Sequence, residues 1–191
     1  MSIASPLDSA PATGHEFATL GGGCFWCLEA VFEELDGVVD VESGYSNGHT
    51  QRPEYRQVCT GDTGYAEVVR IEFDPARVGY RELLEVFFAV HDPTTLNRQG
   101  NDVGNQYRSA IFYHDEQQKA TAAKFLQEAQ DLFEDDIVTA LEPVDRYCRA
   151  ETYHQEYFRH NPTQGYCMFV IGPKLEKFRR AFAPKRRAGV S

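Results

Sequence analysis

The stretch FATLGGGCFWCLEAVFEELDG, Phe17 to Gly37, decides the reading of this chain. Phe17-Ala18-Thr19-Leu20 predicts a short strand. It runs into Gly21-Gly22-Gly23, where backbone angles closed to other residues are open. From Cys24 the pattern turns helical: Phe25, Leu28, Phe32 and Leu35 recur at spacings of three and four, and Gly37 closes the segment. A strand feeding a helix through a glycine turn leaves Cys24 at the helix start, among free backbone N–H groups.

Outward from this unit, helices and strands interleave. Strands are expected at Val38 to Val41, Ala66 to Phe73, Tyr107 to Tyr113 and Ile137 to Leu141, the last stopped by Pro143. Helices are expected at Tyr80 to Val90, Asp115 to Phe133, Thr152 to His160 and Pro173 to Phe182. Gly165 to Ile171 reads as extended. Gly44 to Gly64 and Asp92 to Gln106 read as long polar loops, a kind of segment that more often carries function than structure. Without a regular βαβ rhythm, the class is α+β with a mixed sheet. The expected organisation is a flexible lead over 1–16, one catalytic domain over 17–182 and a basic tail over 183–191.

A chain of 191 residues, 42% hydrophobic and 13% aromatic, can bury a sizeable core. No apolar run approaches the ~20 residues of a membrane helix. Met1 to Glu16 lacks the basic-then-apolar order of a signal peptide, so a cytoplasmic, monomeric protein is expected, without membrane contact. The net charge of −10 argues against a nucleic-acid partner. From Gly172 to Ser191 there are seven Lys/Arg and one Glu, a local excess of +6, which leaves −16 elsewhere. That tail reads as a solvated helix end fading into disorder.

The five cysteines are Cys24, Cys27, Cys59, Cys148 and Cys167. An odd count without export signals points to reduced thiols and, at most, a transient catalytic disulfide. Cys24, after three glycines and at a helix start, reads as a nucleophile with a depressed thiol pKa. Phe25 and Trp26 beside it offer apolar walls for a small alkyl group. Cys24 and Cys27 also form a C-x-x-C, the spacing of dithiol exchange and of half a zinc site. No second Cys or His pair completes zinc, so no metal is expected. From the residues alone, a dithiol–disulfide oxidoreductase and a non-catalytic binding module stay open.

Gly-Gly-Gly-Cys-Phe-Trp-Cys-Leu-Glu (21–29) resembles the signature of the A-type peptide methionine sulfoxide reductases. Five more segments look like that family's motifs in their usual order. They are Thr-Gly-Tyr-Ala-Glu-Val-Val (63–69), His-Asp-Pro-Thr-Thr-Leu-Asn-Arg-Gln-Gly (91–100), Asp-Val-Gly-Asn-Gln-Tyr-Arg-Ser (102–109), Tyr-His-Gln-Glu-Tyr (153–157) and Asn-Pro-Thr-Gln-Gly-Tyr-Cys (161–167). The resemblance spans roughly 17 to 182. It implies a two-layer α/β sandwich with a mixed sheet, related to ferredoxin-like folds. It implies reduction of methionine S-sulfoxide, free or in oxidised proteins, with no bound cofactor and with thioredoxin or dithiothreitol as external reductant. By the same resemblance Cys24 attacks the sulfoxide sulfur and Glu67 protonates its oxygen. Tyr55 and Tyr107 hydrogen-bond that oxygen, Asp102 joins the polar network, and Phe25 and Trp26 hold the methyl group. Cys167 resolves the sulfenic acid on Cys24 as a disulfide. No cysteine follows Cys167, so thioredoxin is expected to attack that disulfide directly. Tyr65 and Asn105 depart from the usual His and Thr. His91 and His154 are expected to make structural hydrogen bonds, and Cys59 to be a buried thiol.

Overall fold

The computed structural model describes residues 10–189. Its core is a β-α-β-β-α-β unit built from β1 (Glu16–Gly21), α1 (Phe25–Phe32), β2 (Val38–Ser46), β3 (Ala66–Phe73), α3 (Tyr80–Val90) and β6 (Ala110–Tyr113). A four-residue helix, α2 (Tyr55–Val58), interrupts the β2–β3 connection, and a two-residue hairpin, β4 (Arg98–Gln99) with β5 (Asp102–Val103), interrupts the α3–β6 connection. The chain then adds α4 (Glu116–Ala129), β7 (Ala140–Pro143), β8 (Tyr147–Arg149), α5 (Tyr157–His160) and α6 (Gly172–Ala181). The six-stranded sheet has the order β7-β6-β1-β3-β2-β8. All its pairs are antiparallel except β6 with β7, so the sheet is mixed.

Strand alternation decides which side chains meet the helices. On β3, Val69, Ile71 and Phe73 point into the main core, and Leu20, Val41 and Ile111 pack there from β1, β2 and β6. The even residues of β3 face the other way. Ala66 and Val68 join Ala110, Phe112 and Tyr147 in a small second cluster. Arg70 lies over the rings of Phe17 and Tyr147 and pairs with Glu42 at 2.9 Å. Helix α1 is buried on nearly every side, because the sheet lies on one flank and α5, α6 and the segment before α6 cover the other. That explains its lack of a polar stripe. Asp115 caps α4 by accepting from the Gln118 N–H at 2.8 Å.

Three expectations need correction. Gly165 to Ile171 is not extended: Cys167 to Ile171 form a π-helical turn continuous with α6. Its inward side chains, Cys167 and Ile171, are both fully buried, so packing on α1 sets its conformation rather than local β propensity. The Thr152 to His160 helix is broken, because Glu156 takes a left-handed conformation at φ 51°. The basic tail is not a solvated end over its described part. Glu34, 5% exposed, gathers Arg179 at 2.6 Å and Arg186 at 3.4 Å. Lys185 pairs with Glu82 at 2.7 Å, and the Arg187 N–H donates to the Glu34 carbonyl at 2.8 Å. The excess of cations meets carboxylates just past the end of α1 and on α3 that a charge tally cannot locate. At the other end, residues 1–9 of the expected lead lie outside the described residues, and His15 bridges to Glu72 at 2.8 Å.

Candidate active site

The glycine turn at the end of β1 is shaped by close packing. A Cβ on Gly22 would lie 2.6 Å from the Phe87 ring, and one on Gly23, at φ +92°, would lie 2.6 Å from Gln99 Cγ. A side chain at Gly22 would need the Phe87 ring to move, and one at Gly23 the Gln99 side chain. Cys24 therefore sits at the N-cap of α1, 7% exposed.

Glu67 comes to Cys24 from β3. It shares a face with Val69, Ile71 and Phe73, so the strand period drives a carboxyl into the core; it is 1% exposed. Its Oε2 accepts from the Phe25 N–H at 3.2 Å, at the first turn of α1. Burial raises its carboxyl to about 8, against which the Phe25 N–H works, with Asp102 and Cys27 adding to the rise. This acid keeps its proton at neutral pH.

Tyr55, from α2, and Tyr107, from the 3-10 turn at 105–107, are both half-buried. Burial raises both phenols, and Glu67 is the next cause for each. Two neutral hydroxyl donors thus lie within the field of the buried carboxyl. Asp102, on β5, accepts from the Tyr166 hydroxyl at 2.7 Å. Burial keeps the Tyr166 phenol protonated, and the neighbouring Cys24 and Cys27 add to the rise. Tyr166 is the residue that reading by chemistry passed over. Its signal was its place beside Cys167.

Phe25 is 1% exposed and stacks with Tyr55, while half-buried Trp26 lies flat on Tyr157, centroids 3.7 Å apart. Glu29 fixes that stack from below. It is 1% exposed, accepts from the Tyr157 N–H and from Ser43 Oγ, both at 3.2 Å, and is raised by burial to about 7.

Several expectations change here. Burial, followed by the Cys27 thiol and the Glu67 charge, pushes the Cys24 thiol well up, not down. A helix start offers roughly 0.3–1 kcal/mol to an anion, less than the desolvation of a buried thiolate. Cys167 is fully buried within its π-helical turn, not carried on an extended mobile segment. Cys59 is exposed. Cys148 lies on the edge strand β8, 3.9 Å from the Tyr65 hydroxyl. His91 does make two structural hydrogen bonds, to the Phe87 carbonyl at 2.6 Å and to Ser109 Oγ at 2.8 Å. The His154 ring makes no hydrogen bond among the described residues: it packs against Phe25, Trp26 and Tyr55, with its Nε2 3.8 Å from the Glu151 carboxylate. Among the described residues no cluster of three or more His, Cys, Asp or Glu is set out to hold a metal, and no helix is long and apolar enough to cross a membrane.

A sequence model described as "Peptide methionine sulfoxide reductase" matches residues 16–186. The "Peptide methionine sulfoxide reductase MsrA" of Chromobacterium violaceum is 58% identical over 170 residues, which cover 88% of this chain and 97% of that one. Among solved structures, Mxr1 of Saccharomyces cerevisiae in reduced form superposes with a TM-score of 0.78 at 35% identity, over 87% of this chain and 97% of that one. Mxr1 in an unusual oxidised form gives 0.62 at 34% identity over 88% and 96%. Mxr1 in complex with Trx2 gives 0.55 at 27% identity over 82% and 94%.

Proposed function

The chain belongs to the peptide methionine sulfoxide reductase family, and from that premise we propose that it reduces methionine S-sulfoxide, free or in oxidised proteins, at Cys24. The observation that carries the residue assignment is Glu67, a carboxyl protonated up to about pH 8 and held against the first turn of the helix that Cys24 starts. Sulfoxide oxygen is a poor leaving group until it gains a proton, and a buried acid of this kind supplies one. Cys24 bonds to the sulfoxide sulfur as Glu67 protonates the oxygen. Tyr55 and Tyr107 donate to that oxygen, while Phe25 and Trp26 enclose the methyl group. The net step is Cys24 thiol plus sulfoxide giving Cys24 sulfenic acid plus methionine.

The family is thiol-dependent, and the reaction so written needs only thiols and external electrons. We place Cys167 as the resolving cysteine, thioredoxin as the reductant, residues 17–182 as the catalytic domain and the cytoplasm as the reducing compartment. The relative crystallised with Trx2 supports the choice of reductant. The test is methionine release from resolved sulfoxide epimers with dithiothreitol. The S epimer is expected to turn over and the R epimer is not. Equal turnover of both epimers, or of neither, overturns the reading.

Two further outcomes follow. Tyr55→Phe and Tyr107→Phe each remove one donor to the sulfoxide oxygen. Each is expected to lower kcat/KM on the order of 10²-fold, with kcat carrying most of the loss. A loss confined to KM counts against that role. Cys167→Ser is expected to release one equivalent of methionine and then to lose thioredoxin-driven cycling, with partial rescue by a small thiol. Undiminished cycling with thioredoxin would show that another cysteine takes this part.

A further inference from the structure

One wall of the methyl pocket has no polar anchor of its own. Trp26, the single tryptophan of the chain, buries an Nε1 that has no hydrogen-bond partner among the described residues. Packing alone therefore orients its indole. The ring that lies on it is Tyr157, parallel within 8° at a centroid separation of 3.7 Å. Phe25, His154 and Tyr166 stand further off, at 6.1, 5.5 and 6.0 Å, tilted or edge-on. Whatever places the Tyr157 ring thus places Trp26.

Tyr157 opens a helix of only four residues, and its place is set from β2 and α1. Gln155 clips the preceding chain to β2. Its Oε1 accepts from the Ser43 N–H at 3.0 Å, and its Nε2 donates to the Ser43 carbonyl at 2.9 Å and the Ala150 carbonyl at 3.0 Å. Glu156 then turns the chain at φ 51°. Glu29 makes the next link. Its Oε2 accepts from the Tyr157 N–H and its Oε1 from the Ser43 hydroxyl, both at 3.2 Å. Glu29 is 1% exposed and Ser43 fully buried. A carboxyl so far from water is tolerated where its oxygens have donors, and these are its donors. No step of the reaction above uses Glu29. It stands on α1, the helix that carries Cys24 at its N-cap and Trp26 in its first turn, and ties that helix to the segment that backs Trp26.

We propose that Glu29 is a positioning residue that sets the width of the methyl pocket: through Tyr157 it holds Trp26 in place, and so fixes the preference for methyl over longer alkyl sulfoxides. The proposal rests on the reading of Trp26 as a wall of that pocket. Without the two acceptor oxygens of Glu29, the Tyr157 backbone is released from α1 and the stack loosens. The indole then swings out and leaves room for a further methylene. One methylene in an apolar pocket changes kcat/KM on the order of 10–200-fold, so the device is read in substrate preference.

The experiment is competition between methionine S-sulfoxide and ethionine S-sulfoxide in one tube with dithiothreitol, with Trp26 emission recorded on the same samples. The ratio of the two kcat/KM values does not depend on how much of the protein is folded. Glu29→Met keeps the length of the side chain and removes both acceptors. It is expected to lower the methyl-over-ethyl ratio by ~5-fold or more and to move Trp26 emission to the red as the indole meets water. Glu29→Gln keeps an oxygen for the Tyr157 N–H and is expected to hold the ratio of the unaltered protein. Tyr157→Leu removes the stacked ring, leaves Glu29 in place and is expected to lower the ratio as Glu29→Met does. An unchanged ratio and emission in Glu29→Met overturn the positioning role, as does an equal fall in Glu29→Gln. Should Glu29→Met not fold, an unchanged ratio in Tyr157→Leu overturns it instead. A fall in the ratio with Trp26 emission unmoved overturns the route through the indole. Shifted emission with an unchanged ratio sinks the reading of Trp26 as the methyl wall. No turnover of either sulfoxide by the unaltered protein sinks the reductase reading itself.

Discussion

Cys24→Ser is expected to abolish methionine release, a loss of at least ~10⁴-fold, because a serine hydroxyl at this site has no base to activate it. Its volume and position change little, so the fold around Gly22 and Gly23 should hold. Retained activity above a hundredth of the original would remove Cys24 from the mechanism. The resting thiol has a second expected property. Burial, and after it the Cys27 thiol, keeps it protonated at neutral pH. Alkylation of Cys24 by iodoacetamide at pH 7 should therefore be slower than that of exposed Cys59. Faster reaction at Cys24 would show that the helix start outweighs burial after all.

Glu67→Gln is expected to slow sulfoxide reduction by ~10²–10⁴-fold, the usual worth of a placed general acid. The sign of the pH dependence follows from its raised carboxyl. Below about 8 Glu67 carries the proton that the oxygen needs; above it the acid is spent. The unaltered protein should lose kcat/KM as pH rises through about 8, and Glu67→Gln should lack that limb. Its deficit should shrink at low pH, where solvent supplies protons. Stability gives an independent check. A carboxyl raised from 4.5 to about 8 on folding favours the folded state fully below 4.5, and that contribution is lost as pH rises through about 8. Glu67→Gln removes this loss, so its Tm relative to the unaltered protein should climb between pH 6 and pH 9. A pH-independent activity loss, with no relative climb in Tm, would make Glu67 a packing residue.

The burial of Glu67 was not legible from spacing, by which a carboxylate on this strand reads as solvent-facing; the structure sets it on the face of β3 that Val69, Ile71 and Phe73 turn into the core. The strand–glycine–helix unit at 17–37 was legible, since its signals are local and agree. Tyr55, Tyr107 and Asp102 were not legible from spacing. Tyr55 and Asp102 arrive on α2 and β5, inside segments that read as long polar loops, and Tyr107 lies on a 3-10 turn where the start of a strand was expected; only the family motifs marked them.

What the sequence determined by itself is therefore the set of elements with strong period, the mixed α+β class and the six motifs that mark the chemistry. Tertiary structure alone decided the rest. Cys24 is raised because α1 is covered on every side, and desolvation outweighs the helix start. Cys167 is helical because the face it shares with Ile171 buries against α1. The basic tail is docked because Glu34 and Glu82 lie where it passes. In each case the outcome depends on which distant groups share one small volume. Local pattern holds no record of that, because burial and charge act through space and not along the chain.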